Sequence, residues 1–180
     1  MKKTILFLAF IATTSFLFAQ KKTTTSATVS FDATTPKDVL PKAENKTVIG
    51  SIDTKTGEVA FEAAVKNFSF SNPKMQEHFN AANWMNSDQF PKITFTGKIE
   101  KLNKVKWAKN GTYKVKVTGD FTIKGITKST KVEGTITVAG GKISIATNLK
   151  VKLADYNITG QSIETGKVSR EPEIKVSAEF

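Results

Sequence analysis

His78 is the only histidine among 180 residues, and the chain has no cysteine. A serine nucleophile needs a base, and His78 is the sole candidate. Ser71 and Ser87 lie near it in sequence, but neither sits in the glycine-flanked elbow that exposes a nucleophile. One histidine without thiolates or an acidic cluster is a poor metal site, so His78 reads as a helix-flank residue. Glu58, Glu62, Glu100, Asp120 and Glu133 fall on the polar phase of alternating segments. No acid–base pair follows from their spacing, and only distant strands could bring two together. Gly140-Gly141 lacks the lysine–hydroxyl pair and the following helix of a phosphate loop. Without cysteine, thiol catalysis, thiolate metal sites and disulfides are excluded. The Asn157-Ile158-Thr159 sequon is what chance gives a threonine-rich chain. The sequence therefore predicts no enzyme and no cofactor.

What remains is an apolar surface. From Ile93 to Leu153, apolar residues recur mostly at every second position. Ile93, Phe95 and Ile99 alternate with lysines and threonines. Tyr113, Val115, Val117, Phe121 and Ile123 do the same, followed by Ile136 and Val138, then Ile143, Ile145, Leu149, Val151 and Leu153. Alternate side chains of a strand point to opposite faces, so this pattern gives sheets with one apolar and one wet face. Such a face is buried against a second sheet or by closure into a barrel. A barrel interior is either packed solid or left as a container, and alternation alone does not choose between them.

Lys2 and Lys3, the apolar run Ile5–Phe18 and the small Ala19 read as an export signal, too short for a membrane span. Cleavage near Ala19 predicts a periplasmic or secreted protein of about 160 residues, one domain in size. The formal charge is +11, and removing Lys2 and Lys3, with no acid, leaves +9. Lysines interleaved with apolar strand residues read as a solvated outer face. Long basic blocks and arginine forks are missing, which argues against nucleic acid.

The elements read as follows. Residues 21–28 are polar and frayed, and Val29 and Phe31 open the first strand. Residues 32–46 form a loop. Val48–Ile52 and Val59–Val65 make a hairpin about the turn Asp53–Gly57. Asn72 caps the one helix, Pro73 suits its first turn, and Met75, Phe79 and Ala82 form its apolar stripe. Asn110-Gly111 and Ala139–Lys142 signal tight hairpins, and Gly125 breaks the run between Ile123 and Ile126. Gly97, Gly119 and Gly134, inside strand patterns, suit the bends of a closing sheet. Residues 154–172 form a polar connection around Tyr156, and Ile174–Phe180 is a last strand that closes the sheet.

One pair of segments is more specific than its periodicity. Phe90-Pro91-Lys92-Ile93-Thr94-Phe95 is followed by Gly119-Asp120-Phe121-Thr122-Ile123-Lys124-Gly125-Ile126-Thr127-Lys128. In that order they resemble the paired signatures of the YceI-like family, with Phe121 where leucine is usual. The stretch from Met75 and Phe79 through Asn86-Ser87-Asp88-Gln89-Phe90 resembles the approach to the first signature. The resemblance implies an all-β fold over residues 20–180, an antiparallel lipocalin-like β-barrel of about eight strands with one short α-helix, behind a signal at 1–19. It also implies an exported protein that holds an isoprenoid or other long amphiphilic lipid in an apolar cavity. Family members often start with a tryptophan-containing strand, which this chain lacks.

On this reading an apolar chain enters a lumen lined by Phe31, Phe61, Phe95, Tyr113, Val115, Val117, Phe121, Ile123, Ile136, Ile143 and Ile145. The helix residues Met75 and Phe79, with Trp84 and Phe90, cover the mouth. Tyr113 offers a hydroxyl to a head group, and lysines at the mouth meet a phosphate or a quinone-like oxygen. Peripheral membrane contact and a homodimer stay open as partners. The competing expectation is an exported module with a filled core that binds a protein or an anionic membrane through its lysines.

Overall fold

The computed structural model describes residues 21–180, so the leader expected at 1–19 lies outside the described residues. The strands are β1 Lys21–Asp32, β2 Lys42–Asp53, β3 Glu58–Ala64, β4 Ser69–Phe70, β5 Lys92–Ile99, β6 Gly111–Ile123, β7 Ile126–Ala139, β8 Lys142–Lys150 and β9 Glu173–Glu179. Helix α1 spans Pro73–Asn80 and a single turn, α2, spans Gln161–Glu164. The sheet order is β1-β9-β8-β7-β6-β5-β3-β2, and β1 also pairs with β2, so eight antiparallel strands close into a barrel. β4 adds only two residues to the edge of β2. The fold is the lipocalin-like barrel that the family resemblance implies, and of the two burials that alternation allows it is closure into a barrel.

Closure needs the first strand to be long. Residues 21–28 pair with β2 from Lys21↔Asp53 up to Ala27↔Val48, so they are strand and not the frayed segment expected from their polarity. Their threonines suit a pleated surface with one wet face, and two register shifts near Ala27 bend the strand. The hairpins β6–β7 and β7–β8 turn through two residues each. Lys124 and Gly125 have φ 49° and 73°, and Gly140 and Gly141 have 57° and 81°, the paired positive angles that match strand twist. Asn110-Gly111 is not a tight hairpin: residues 100–110 form a longer connection with a 3-10 turn at Leu102–Lys104. The Asn110 side chain instead accepts the Gly140 N–H across that end of the barrel.

Glycines within the strands make seats for aromatic rings. A Cβ on Gly97 would lie 2.9 Å from the Phe95 ring, and one on Gly50 would lie 2.8 Å from Phe61. Gly97 and Gly119 are cross-strand partners, and a Cβ on Gly119 would stand 2.3 Å from the Thr96 carbonyl oxygen. Backbone cannot step aside as a side chain can. Gly119→Ala is expected to cost about 2–3 kcal/mol, seen as a lower urea midpoint at unchanged slope. An unchanged midpoint would show that the sheet there is not tightly closed.

The two barrel ends are built differently. At one end lie the 54–57 turn, the 100–110 connection, the β7–β8 turn and the C-terminus, and Ile52, Val59, Ile99, Val105, Ile136, Val138 and Ile143 pack it shut. At the other end lie residues 33–41, α1 with the loop after it, and residues 151–172. Asn72 caps α1 as its type predicts, accepting the Lys74 N–H at 2.9 Å, with Pro73 in the first turn. The helix stops at Asn80, so Ala82 lies beyond it and is exposed rather than part of an apolar stripe.

Candidate functional site

Side-chain size around the barrel wall leaves a hollow. On one arc, Phe61, Phe95 and Phe121 are cross-strand neighbours on β3, β5 and β6, with Gly50 beside Phe61 on β2. The Phe95 and Phe121 rings meet edge to face at 6.2 Å between centroids. On the other arc, Val115, Gly134, Thr147, Val176 and Val29 are successive partners from β6 round to β1. Large rings on one side and small residues on the other enclose a cavity of about 140 Å³ between the two packed ends. The outward residues of β6 are mostly exposed, but its cavity-lining residues Val115, Val117 and Phe121 are only half-buried. Inward positions of a solid core would be buried, and these keep accessible surface because they face a void.

The lining is almost entirely hydrocarbon, with the hydroxyls of Thr94 and Thr147 and the indole of Trp84 its polar side-chain groups and no titratable group. Lone apolar cavities of this kind stay dry and accept apolar guests. Among the described residues there is no group of three or more histidine, cysteine or carboxylate side chains that could hold a metal. Charge sits outside the wall. Lys116 donates to Glu133 at 2.6 Å and Lys142 to Glu179 at 2.7 Å. That bond holds the Glu133 carboxyl below its usual range and raises Lys116. These pairs are solvent-exposed and contribute little to stability. The lysines are the solvated outer face expected from their alternation.

Of the sequence-predicted lumen residues, Phe31, Phe61, Phe95, Val115, Val117, Phe121, Ile123, Ile136 and Ile145 line the cavity. Tyr113 and Ile143 do not. Both belong to the packed closed end, because the 100–110 connection folds across it. The Tyr113 hydroxyl donates to the carbonyls of Lys109 and Lys106, at 2.9 and 3.2 Å, so it fastens that connection and is not offered to a guest. At the other end Phe79 and Trp84 do line the cavity. Phe90 does not, since its ring lies over Gly125, where a Cβ would be 2.6 Å away. Met75 faces a second, more open hollow of about 290 Å³. This vestibule shares Phe31, Phe79 and Trp84 with the cavity and adds Asp38, His78, Gln161, Ser162 and Lys167.

Alternation could not reveal the lid residues Phe68, Met85, Ile158 and Pro172, which also line the cavity; Leu153 ends the alternating run and lines it from a 3-10 turn. Tyr156 packs on Phe121 at 6.2 Å, and burial raises its phenol above the ordinary value, so it stays neutral. The buried Asn45 is a structural residue. It donates to the Ala64 carbonyl at 3.0 Å and accepts from the Thr47 backbone and hydroxyl, both at 2.9 Å.

A small closed barrel with an apolar internal cavity and a lidded end defines a lipocalin-like scaffold. The sequence matches the YceI-like domain over residues 12–180, and the chain belongs to that family. Solved structures share the fold. A polyisoprenoid binding domain from Saccharophagus degradans implicated in plant cell wall breakdown aligns with TM-score 0.75 and 14% identity, over 89% of this chain and 97% of that one. BcnA from Burkholderia cenocepacia aligns with TM-score 0.70 and 21% identity, over 86% and 96%. The Campylobacter jejuni YCEI protein aligns with TM-score 0.55 and 23% identity, over 74% and 80%. No curated protein matches the sequence.

Proposed function

We propose that the protein binds the hydrocarbon chain of an amphiphilic, isoprenoid-like lipid inside the barrel and serves, after export, as a non-catalytic carrier or reservoir. The observation that carries this reading is the half-buried Val115, Val117 and Phe121 of β6 around an internal hydrocarbon-lined void. Family membership and the polyisoprenoid binding of the Saccharophagus relative support it. The lining without titratable groups favours holding a guest over transforming it.

The size of the void adds a requirement. A cavity of about 140 Å³ is close to the roughly 150 Å³ that accepts one benzene. A chain of about thirty carbons needs several times that space, so it enters only as Phe61, Phe95 or Phe121 turns aside and the lid yields. Binding then couples to repacking, a shift between empty and filled arrangements. Burial returns about 25 cal/mol per Å² of chain surface, offset by immobilising the ligand.

Protein expressed with its leader and purified without detergent is expected to release one chain lipid per barrel into organic solvent, identified by mass spectrometry. Recovery of no lipid, together with no uptake of an added prenyl alcohol, would overturn the reading.

A further inference from the structure

Three large apolar side chains are exposed among the described residues: Ile49, Val39 and Leu40. Ile49 stands alone on the outer face of β2. Val39 and Leu40 are consecutive, 66% and 43% exposed, at the tip of the 33–41 connection. That tip is not a slack loop whose apolar groups could fold under. Thr35 and Asp38 exchange backbone hydrogen bonds at 2.8 and 3.1 Å, and Ala33 N–H donates to the Pro41 carbonyl at 2.8 Å. The Asp38 carboxylate accepts the Leu40 N–H at 2.9 Å. The Thr35 hydroxyl donates to the Gly166 carbonyl and Lys37 Nζ to the Thr165 carbonyl, both at 2.8 Å, tying the tip to the 151–172 lid. The backbone is fixed and the two aliphatic side chains are held out in water.

Their position gives this display a use. Asp38 and Pro41, which flank the pair, line the vestibule, so the tip stands on its rim. Lys37, Lys42 and Lys167 are exposed around it. We infer that this rim is where the barrel touches an anionic lipid bilayer: Val39 and Leu40 enter the headgroup–acyl boundary, the three lysines meet lipid phosphates, and the vestibule opens onto the bilayer surface. This rests on the chain-binding reading, for which it supplies a route: an apolar chain passes between bilayer and barrel with little exposure to water. Two aliphatic side chains are far too little for a stable protein interface, which needs about 800 Å² per partner, but they suffice for reversible interfacial insertion beside basic residues. Lysines act as point charges and ask for no fixed partner geometry, which suits a fluid headgroup layer. The opposite end has its own basic segment, Lys101, Lys104, Lys106 and Lys109, but Trp107 there is half-buried and no large aliphatic side chain is exposed. Docking by that end would also turn the vestibule away from the lipid.

Flotation with vesicles of mixed phosphatidylcholine and phosphatidylglycerol tests the inference. The neutral variant Val39→Asn/Leu40→Asn is expected to partition at least about tenfold less than wild type, without a change in salt sensitivity. Lys37→Gln/Lys42→Gln/Lys167→Gln is expected to weaken partition and flatten its salt dependence. Uptake of a soluble prenyl alcohol without vesicles is measured in parallel and should not change in the tip variant. The inference is overturned if wild type does not float, if the tip variant floats like wild type, or if Lys101→Gln/Lys104→Gln/Lys106→Gln/Lys109→Gln abolishes flotation while the tip variant does not. Failure of wild type to take up the prenyl alcohol would sink the chain-binding reading instead, and tip-dependent flotation would still support the docking surface.

Discussion

Val115→Phe/Val176→Phe is expected to abolish chain binding while leaving the barrel folded. The two valines lie on the arc of small residues, flanking Gly134 and Thr147 in the same ring of cross-strand partners. Each substitution adds four carbon atoms to the side facing the void and none to the side facing Phe61, Phe95 and Phe121. Together the new rings displace about eight carbons of guest chain. At about 0.8 kcal/mol per buried methylene, and with half of those contacts recovered by a shift of the chain, the loss is about 3 kcal/mol, or more than a hundredfold in affinity. Stability should change by no more than about 1–2 kcal/mol in either direction, because the rings enter space that is already empty instead of a packed core. Titration with a fluorescent prenyl alcohol reads the affinity, and calorimetric melting reads the fold. Lys114→Gln, one residue from Val115 but on the outer face, is the control that should move neither. Unchanged affinity in the double variant would mean that the chain binds elsewhere, and the carrier reading would fall with it.

What the sequence discloses here follows from where a residue's environment is set. Inward positions such as Val115, Val117 and Phe121 are legible because strand geometry alone sends every second side chain to one face. Tyr113 and Ile143 obey the same alternation, yet they sit beyond the cavity. How far along a strand the hollow extends depends on the 100–110 connection folding over one end, and no local periodicity records that contact. Gly97 and Gly119 looked like bending points. Their role becomes visible only once register pairs them with each other and lays the Phe95 ring across both. The first strand was hidden for a different reason: Lys21–Ser26 carries no apolar face, and its pairing with β2 is fixed by the tertiary closure of the barrel. The lid was legible only where a helix signal existed. Asn72, Pro73 and Phe79 mark α1, while Phe68, Met85 and Ile158 come from irregular chain that carries no pattern to read.

Phe79→Ala is the substitution expected to disturb the lid most. The ring is 5% exposed and touches four others. Its centroid lies 5.0 Å from Phe70, 5.6 Å from Phe68, 5.8 Å from Phe31 and 6.0 Å from Trp84. The ring thus joins α1, β1, β4 and the following loop at one point. Truncation removes the hydrocarbon and leaves a void that rigid neighbouring rings cannot fill, a change that costs about 3–5 kcal/mol. For a domain of this size each kcal/mol moves the melting temperature by about 2–4 °C, so a fall of roughly 10 °C is expected in calorimetry. Phe79→Leu, which keeps most of the volume, should recover more than half of that loss. The same ring lines both the cavity and the vestibule, so it is a shared wall between them. The alanine variant is therefore expected to release a bound prenyl alcohol faster than wild type even at temperatures well below its melting point, because the opening that wild type makes by displacing the ring already exists. A melting temperature within about 2 °C of wild type would mean that the aromatic cluster does not hold the lid. A normal release rate in a destabilised variant would mean that the chain leaves by another path.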